Sequence, residues 1–514
     1  MVLVATSGIG KHTVGGSLFP YLLSGDFRKL ILPKPEVTLG MEELVERYAS
    51  ILDDPEAFRA ALQQPLPICI WVNPHKTTPE AMAAYLQANN IEFEPLGWYP
   101  HAFRTYNWEK PGTTLPSIAG WYQVQEEIAL TAVRLLDPQP GDRVLDLCAA
   151  PGGKMAKIAL QMDEGGVVVA NEVQVRRLAS LRTTIERTGL LNVVSTNEDG
   201  RFLAFPPHSF DRVLLDAPCS GEGTLRKKKP QARGKWKAGY SQYVATVQCQ
   251  LLEKALQLVK LGGSIVYSTC TFAPEENEAV LDKVLGDRGY VEPASIPELK
   301  AMPGLKTWQG KSFREDIAYA QRYFPHFNNT GGFFVAAIRR TDAQLSSPKE
   351  PSPVVTGGAT PDRDGIRWFC DRFGCQEEIF QNKQAWVKSK EKVWLSTDRC
   401  QPLQQPETQN IGISLLRIVR GEYKPTTFAL QRFGRFFQRN AIELTDEQVV
   451  WRFLAGKSQP LTADVEPGYV HIRYGEFELG CGWYQNGILR SQIPKSIRSP
   501  SGLLDPNAKT KNKG

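Results

Sequence analysis

The chain is poor in cysteine, with nine in 514 residues, which excludes the disulfide framework that staples small secreted domains. It has no uninterrupted apolar run near the roughly 20 residues needed to cross a bilayer. Short apolar pieces at the amino terminus are broken by Gly, Pro and charges, so no secretory leader is expected. Together these absences point to a reducing, cytoplasmic setting. Charge of one sign is also modest: a net charge of +6 does not by itself mark a nucleic-acid binder. Cys370 and Cys375 lack metal-ligand spacing and a companion histidine pair, so no metal is expected. The segment Gly8-Ile9-Gly10-Lys11-His12-Thr13 lacks the first glycine of a phosphate-binding loop, which would fall at Ala5, and is excluded as a nucleotide site.

The hydrophobic content of 42% and charged content of 23% are those of a folded globular protein. At about 150 residues per domain the length suggests about three domains. Residues 1–39 form an extension with no assigned fold. Leu44, Val45, Tyr48, Ile51 and Leu52 recur at helical spacing. Pro67–Asn73 then reads as a strand and Pro79–Asn89 as a helix, giving a small α/β domain over 40–115. The segment from Gly120 is expected to open a helix reaching about Leu136, stopped by Pro138-Gln139-Pro140-Gly141. Strands and helices alternate from Arg143 to about Gly289, the pattern of a doubly wound parallel sheet, and Val335 lies on its last strand. A catalytic domain is thus expected over 116–340, a Ser/Pro/Gly/Asp-rich linker over 341–364, and a small mostly β region over 365–498. The tail over 499–514 is expected to be disordered.

The chemistry concentrates at strand ends. Cys219, in Asp216-Ala217-Pro218-Cys219-Ser220-Gly221, and Cys270, in Ser268-Thr269-Cys270-Thr271, each follow an apolar strand-like run and stand 51 residues apart. Residues past the carboxyl ends of neighbouring parallel strands converge on one crevice, so both thiols can face one substrate. Upstream, Asp146-Leu147-Cys148-Ala149-Ala150-Pro151-Gly152-Gly153-Lys154 reads as a strand entering a glycine-rich turn and a helix. Such a turn lets backbone approach a ligand and offers free amides at the helix start. A cysteine is often just a small buried hydrophobe, and that reading is preferred for Cys69, Cys249 and Cys400. Directly after the Cys219 motif, Arg226, Lys227, Lys228, Lys229, Arg233, Lys235 and Lys237 carry seven cations without an acid. Such a run is usually a solvated face. Trp236 among them and the adjacent thiol motif favour RNA contact, through phosphates and base stacking.

The order and spacing of these motifs, with Glu275-Glu276-Asn277-Glu278 after the second, resemble the RNA cytosine-C5 methyltransferases that use S-adenosylmethionine. The layout with an appended C-terminal region is most similar to the RsmF type, which modifies small-subunit ribosomal RNA. Gly487–Lys495 resembles the end of its PUA-like RNA-binding module. The resemblance implies a Rossmann-like class I methyltransferase domain, α/β in class, between a small N-terminal α/β domain and a C-terminal mostly β PUA-like region. It also implies S-adenosylmethionine as cofactor and RNA as partner, with transfer RNA the alternative substrate and a noncatalytic ribosome-assembly role the alternative function. Residue physics leaves open which thiol attacks; the resemblance assigns Cys270 as nucleophile, with Cys219 assisting proton removal or adduct release. It also places Asp216 on the cytosine and Lys154 beside it. Cys148, Ala149, Ala150, Pro151, Gly152, Gly153, Lys154 and Asp216 are carried over as cofactor contacts. Glu172, for the ribose hydroxyls, and Asp199, facing adenine, follow successive strands as acids do in Rossmann-like sheets; helix capping is their plainer role. One departure is that the family's usual Arg-Val-Asn is here Trp71-Val72-Asn73, and an indole cannot replace a guanidinium's bidentate contacts.

Overall fold

A computed structural model describes residues 40–227, 240–341, 359–389 and 391–498. The expectations for residues 1–39, most of the linker, the 499–514 tail, and Lys228, Lys229, Arg233, Lys235, Trp236 and Lys237 lie outside the described residues.

The apolar periodicity over 41–62 resolves into two helices, Met41–Tyr48 and Pro55–Gln63. The break falls where Asp54 caps the second helix, accepting from the Ala57 amide at 2.9 Å, with proline in the first turn. A four-stranded antiparallel sheet follows in the order Glu92–Pro95, Ala102–Tyr106, Ile68–Val72, Tyr122–Gln125. Helix Pro79–Ala88 is capped by Thr78.

The last strand of that sheet corrects the expected helix from Gly120. Gly120, at φ +81°, ends the short helix Leu115–Ala119 in the left-handed region, and Tyr122–Gln125 then pairs antiparallel with Ile68–Val72. The helix begins only at Leu130 and runs to Leu136. The motif around Gln125 therefore belongs to the N-terminal sheet, which the expected boundary at 115 had cut off.

The central sheet has a parallel core in the spatial order Val193–Thr196, Val167–Asn171, Arg143–Asp146, Phe210–Asp216, Val259–Thr269. In chain order that is third, second, first, fourth, fifth, so the winding reverses between Arg143–Asp146 and Phe210–Asp216. Ligands of open α/β sheets bind outside the strand carboxyl ends at such a reversal. Strand alternation decides the two faces. Val144, Val168 and Leu214 pack with Leu130, Val133, Ile158 and Ile185, while Leu145, Val169, Val213 and Leu215 pack with Leu252, Leu256 and Leu281. Phe333–Arg340 extends the sheet antiparallel beside Val259–Thr269.

The region after residue 359 is not a detached module. Helix Arg363–Phe373 starts inside the stretch expected to be linker, capped by Asp362 on the Gly365 amide at 2.9 Å. Strand Thr408–Ile411 leaves its own domain and pairs antiparallel with Val193–Thr196, closing that edge of the catalytic sheet. The rest forms two five-stranded sheets. One is antiparallel over Thr360–Pro425; the other holds Ala441–Glu443, Gly468–Tyr474, Phe477–Gln485, Ile488–Ser491 and Ser458–Pro460.

Candidate active site

Three strand ends build the site. Arg143–Asp146 leads into the loop Leu147–Gly152 and helix Gly153–Gln161. Gly152 sits at φ +104°, and a side-chain carbon there would meet Leu181 at 3.0 Å and Met155 and Thr184 at 3.2 Å, so the loop can lie against helix Val175–Thr188 only with glycine. Thr184 donates to the Pro151 carbonyl at 2.8 Å. No side chain caps helix Gly153–Gln161, which leaves its first amides for a ligand.

This loop forms one wall of a cavity of about 650 Å³ lined by Asp146, Cys148, Ala149, Ala150, Pro151, Gly153, Lys154 and Asp216. The opposite wall comes from the N-terminal domain, through Pro65–Cys69 and Gln123–Glu126. Lys154 and Asp216 pair at 2.7 Å on the first wall, and Asp216 also accepts from Ser268 at 2.9 Å. Although burial pulls the Lys154 ammonium down, the Asp216 carboxylate holds it above its usual range.

The thiols of Cys219 and Cys270 meet at 3.3 Å, both half-buried. Their shared hydrogen bond separates them. It holds the Cys270 thiol below its ordinary value, against burial and the charge of Asp216 but with help from Lys154 and Lys227. It pushes Cys219 well up, reinforced by burial and by the charges of Cys270 and Glu276. The pair therefore favours ionisation at Cys270 over Cys219.

The two cysteine turns are laced together by buried hydroxyls and one carboxylate. Ser220 and Thr271, the residues after each cysteine, are hydrogen-bonded at 2.7 Å. Thr271 donates to Glu222 at 2.9 Å, and Glu222 also accepts from Tyr48 of the N-terminal helix at 2.7 Å. Asn277 accepts from the Thr269 hydroxyl at 2.6 Å and donates to the Thr271 carbonyl at 3.1 Å.

Glu172 and Asp199 follow the second and third parallel strands as expected, but neither lines the cavity. Glu172 is buried, accepts from the Gln174 amide at 2.8 Å and pairs with Arg177 at 3.1 Å. Asp199 caps a short 3₁₀ turn and pairs with Arg201 at 2.6 Å. Asp146, absent from the sequence-derived set, is 1% exposed, and its Oδ1 has no partner among the described residues. Burial, then the like charge of Asp216, raises it to about 7. The strand-end logic that selected Glu172 and Asp199 applies equally to it. Its unpartnered oxygen beside the open helix start matches the ammonium and carboxylate of an amino-acid group, so the residues present fit the methionine portion of S-adenosylmethionine.

Arg226 corrects the expectation of an RNA-facing cation. It is 6% exposed and donates to the carbonyls of Thr330 and Pro65 at 2.8 Å, to that of Gln64 at 3.2 Å and to Asn329 at 2.7 Å, so it fastens the N-terminal domain to the catalytic one. Lys227 is more open and stands 3.2 Å from Glu126. Cys69, Cys249 and Cys400 are buried core residues. Trp71 is also buried, donates to Gln125 at 2.9 Å and lies 5.5 Å from the Lys157 ammonium. The side chain standing in for the arginine is a packing and cation–π element of the N-terminal domain.

The family described as 16S rRNA methyltransferase RsmB/F matches residues 133–339, and the methyltransferase RsmF PUA domain matches 439–499. The ribosomal RNA small subunit methyltransferase F of Vibrio campbellii is 30% identical over 90% of this chain and 98% of its own length. The chain belongs to the RsmB/F methyltransferase family. As an RsmB/F protein it is an RNA methyltransferase of the S-adenosylmethionine-dependent class. The tRNA (cytosine(49)-C(5))-methyltransferase of Pyrococcus abyssi is 35% identical, over 58% of this chain and 96% of that protein. The crystal structure of PH0851 is 31% identical with a TM-score of 0.50, over 60% of this chain and 69% of that one. The Rossmann-like catalytic domain and the PUA-like end of this RsmB/F chain are those the sequence motifs implied.

Proposed function

We propose that this chain methylates C5 of a cytosine in small-subunit ribosomal RNA through a covalent adduct between Cys270 and C6 of the base. The observation that carries the reading is the thiol pair at 3.3 Å, on turns after adjacent parallel strands beside the Lys154–Asp216 pair. The C5 position of cytosine is a weak nucleophile; thiolate addition at C6 makes it enamine-like. The Cys270 sulfur forms the bond to C6, and C5 then takes the methyl group. Loss of the C5 proton and cleavage of the sulfur–C6 bond restore the ring and the thiolate, with Cys219 serving proton removal and release.

Asp216 takes the exocyclic amine or the ring nitrogen of cytosine, and Lys154 balances its charge. When bound, S-adenosylmethionine supplies the methyl group on a sulfonium. Asp146, the loop Cys148–Gly153 and the first amides of helix Gly153–Gln161 would hold its amino-acid end, while Glu172 and Asp199, which stand outside the cavity lining, would have to leave Arg177 and Arg201 to serve the ribose and the adenine. The base must leave its stack to reach two half-buried thiols, and Lys227–Lys237 with the PUA-like region hold the flanking RNA. Ribosomal RNA is favoured over transfer RNA because the match to small-subunit methyltransferase F covers 90% of this chain, against 58% for the transfer-RNA enzyme.

The test is transfer of labelled methyl to cytosine in ribosomal and transfer RNA by wild type, Cys270→Ala and Cys219→Ala. Cys270→Ala is expected to lose turnover, and Cys219→Ala to accumulate protein–RNA adduct. Full activity in Cys270→Ala refutes the adduct; labelling of transfer RNA alone refutes the substrate.

A further inference from the structure

The proposed reaction gives no role to the Glu275-Glu276-Asn277-Glu278 run singled out in the sequence, and within it Glu276 lies against the Cys219 turn. Glu276 is fully buried directly behind the Cys219 turn. Its Oε2 accepts from the Ser220 amide at 2.9 Å and from Gln248 Nε2 at 3.2 Å, and its Oε1 has no partner among the described residues. The same Gln248 nitrogen donates to the Pro218 carbonyl at 2.8 Å. Cys219 is thus held through the residue before it and the residue after it, and the two holders are bonded to each other. Tyr267 fixes the far side by donating to the Glu276 carbonyl.

We propose that Glu276 and Gln248 are positioning residues for Cys219, bracketing its turn so that the proton shared by the two thiols stays on Cys219 while Cys270 ionises. This rests on the reading that Cys270 attacks and Cys219 assists. The charges around the two sulfurs are asymmetric. Cys219 faces Cys270, Glu276, Tyr240 and Tyr267, with Glu222 behind Glu276. Cys270 faces Cys219, Lys154, Lys227 and Asp216. Among the described residues, Lys154 and Lys227 therefore stand on the Cys270 side and a buried carboxyl stands on the Cys219 side. Without Glu276 the cations beside Cys270 remain, but the carboxyl that helps keep the proton on Cys219 is lost, so a larger share of the thiol pairs would present the wrong nucleophile.

The experiment is labelling of the full-length protein, free of RNA, with iodoacetamide between pH 6 and 10. The Cys219 and Cys270 peptides are quantified by mass in wild type and Glu276→Gln. The glutamine keeps an oxygen for Ser220 but removes the charge. The ratio of Cys219 to Cys270 labelling at pH 8 is expected to rise about tenfold, the equivalent of a one-unit shift; a ratio within twofold of wild type overturns the proposal. Gln248→Met, which is neutral, checks the bracket if Glu276→Gln does not fold. It is expected to lower kcat at least tenfold with KM for S-adenosylmethionine unchanged, and an unchanged kcat or an equal rise in KM overturns the proposal. The Cys270→Ala assay judges the covalent reading separately, because the labelling ratio is read without turnover.

Discussion

Removing Arg322 should be the most damaging single substitution outside the reacting groups. Arg322 and Glu278 form an ion pair with side chains 2% and 0% exposed. Arg322 Nε donates to Glu278 at 2.6 Å, its Nη1 donates to the Phe272 carbonyl at 2.9 Å, and Glu278 also accepts from the Leu305 amide at 3.0 Å. Arg322→Met keeps most of the volume but leaves Glu278 a buried charge with one amide donor. Breaking one side of such a pair costs about 3–5 kcal/mol. At about 2–4 °C per kcal/mol for a domain of this size, the expected drop in Tm is roughly 6–20 °C. Replacing both partners, in Arg322→Met/Glu278→Leu, removes the unpaired charge and should recover to within about 1 kcal/mol of wild type. Thermal unfolding of wild type, both single variants and the double variant completes the cycle. The reasoning fails if Arg322→Met costs less than about 1 kcal/mol, or if the two single losses add in the double variant.

Burial holds Asp146 and Glu276 up at about 7. Because these folded-state values lie above the unfolded ones near 4, the folded protein binds extra protons between about pH 4 and 7, and stability should fall as pH rises through that window. Each group contributes up to about 4 kcal/mol of that slope; Asp146→Asn should flatten it, which urea midpoints at pH 5 and 7.5 will read. Deleting residues 342–514 should produce aggregation as well as a loss of RNA binding, because it strips Thr408–Ile411 from the edge strand Val193–Thr196. Light scattering that finds a stable monomer after this truncation would contradict the structural role given to that strand.

The sequence was most readable where chemistry and local pattern coincide. The parallel sheet, the glycine turn and the convergence of Cys219 and Cys270 all follow from motifs placed after apolar runs. What stayed hidden depends on contacts distant in the chain. Tyr122–Gln125 carries too short an alternation to stand against a helix pattern, and only its pairing with Ile68–Val72 makes it a strand. Arg226 has the composition of a surface cation, yet carbonyls from the 64–65 and 330 segments claim it. Asp146 ends an apolar strand, and only its burial in the fold beside Asp216 sets it apart from any other strand-end acid. Thr408–Ile411 lies in a polar stretch with no periodic signal, and its partner is more than 200 residues upstream.

That distant pairing has a consequence during synthesis. When the catalytic segment leaves the ribosome, Val193–Thr196 emerges long before the strand that will cover it. At about 5–20 residues per second the delay is roughly 10–40 s, far longer than the microseconds a hairpin takes to form. For that interval the nascent chain carries a methyltransferase sheet with an open, apolar-backed edge. Its completion therefore waits on the arrival of the C-terminal region, so a chain that stalls before residue 411 would expose an adhesive strand before it could bind any RNA.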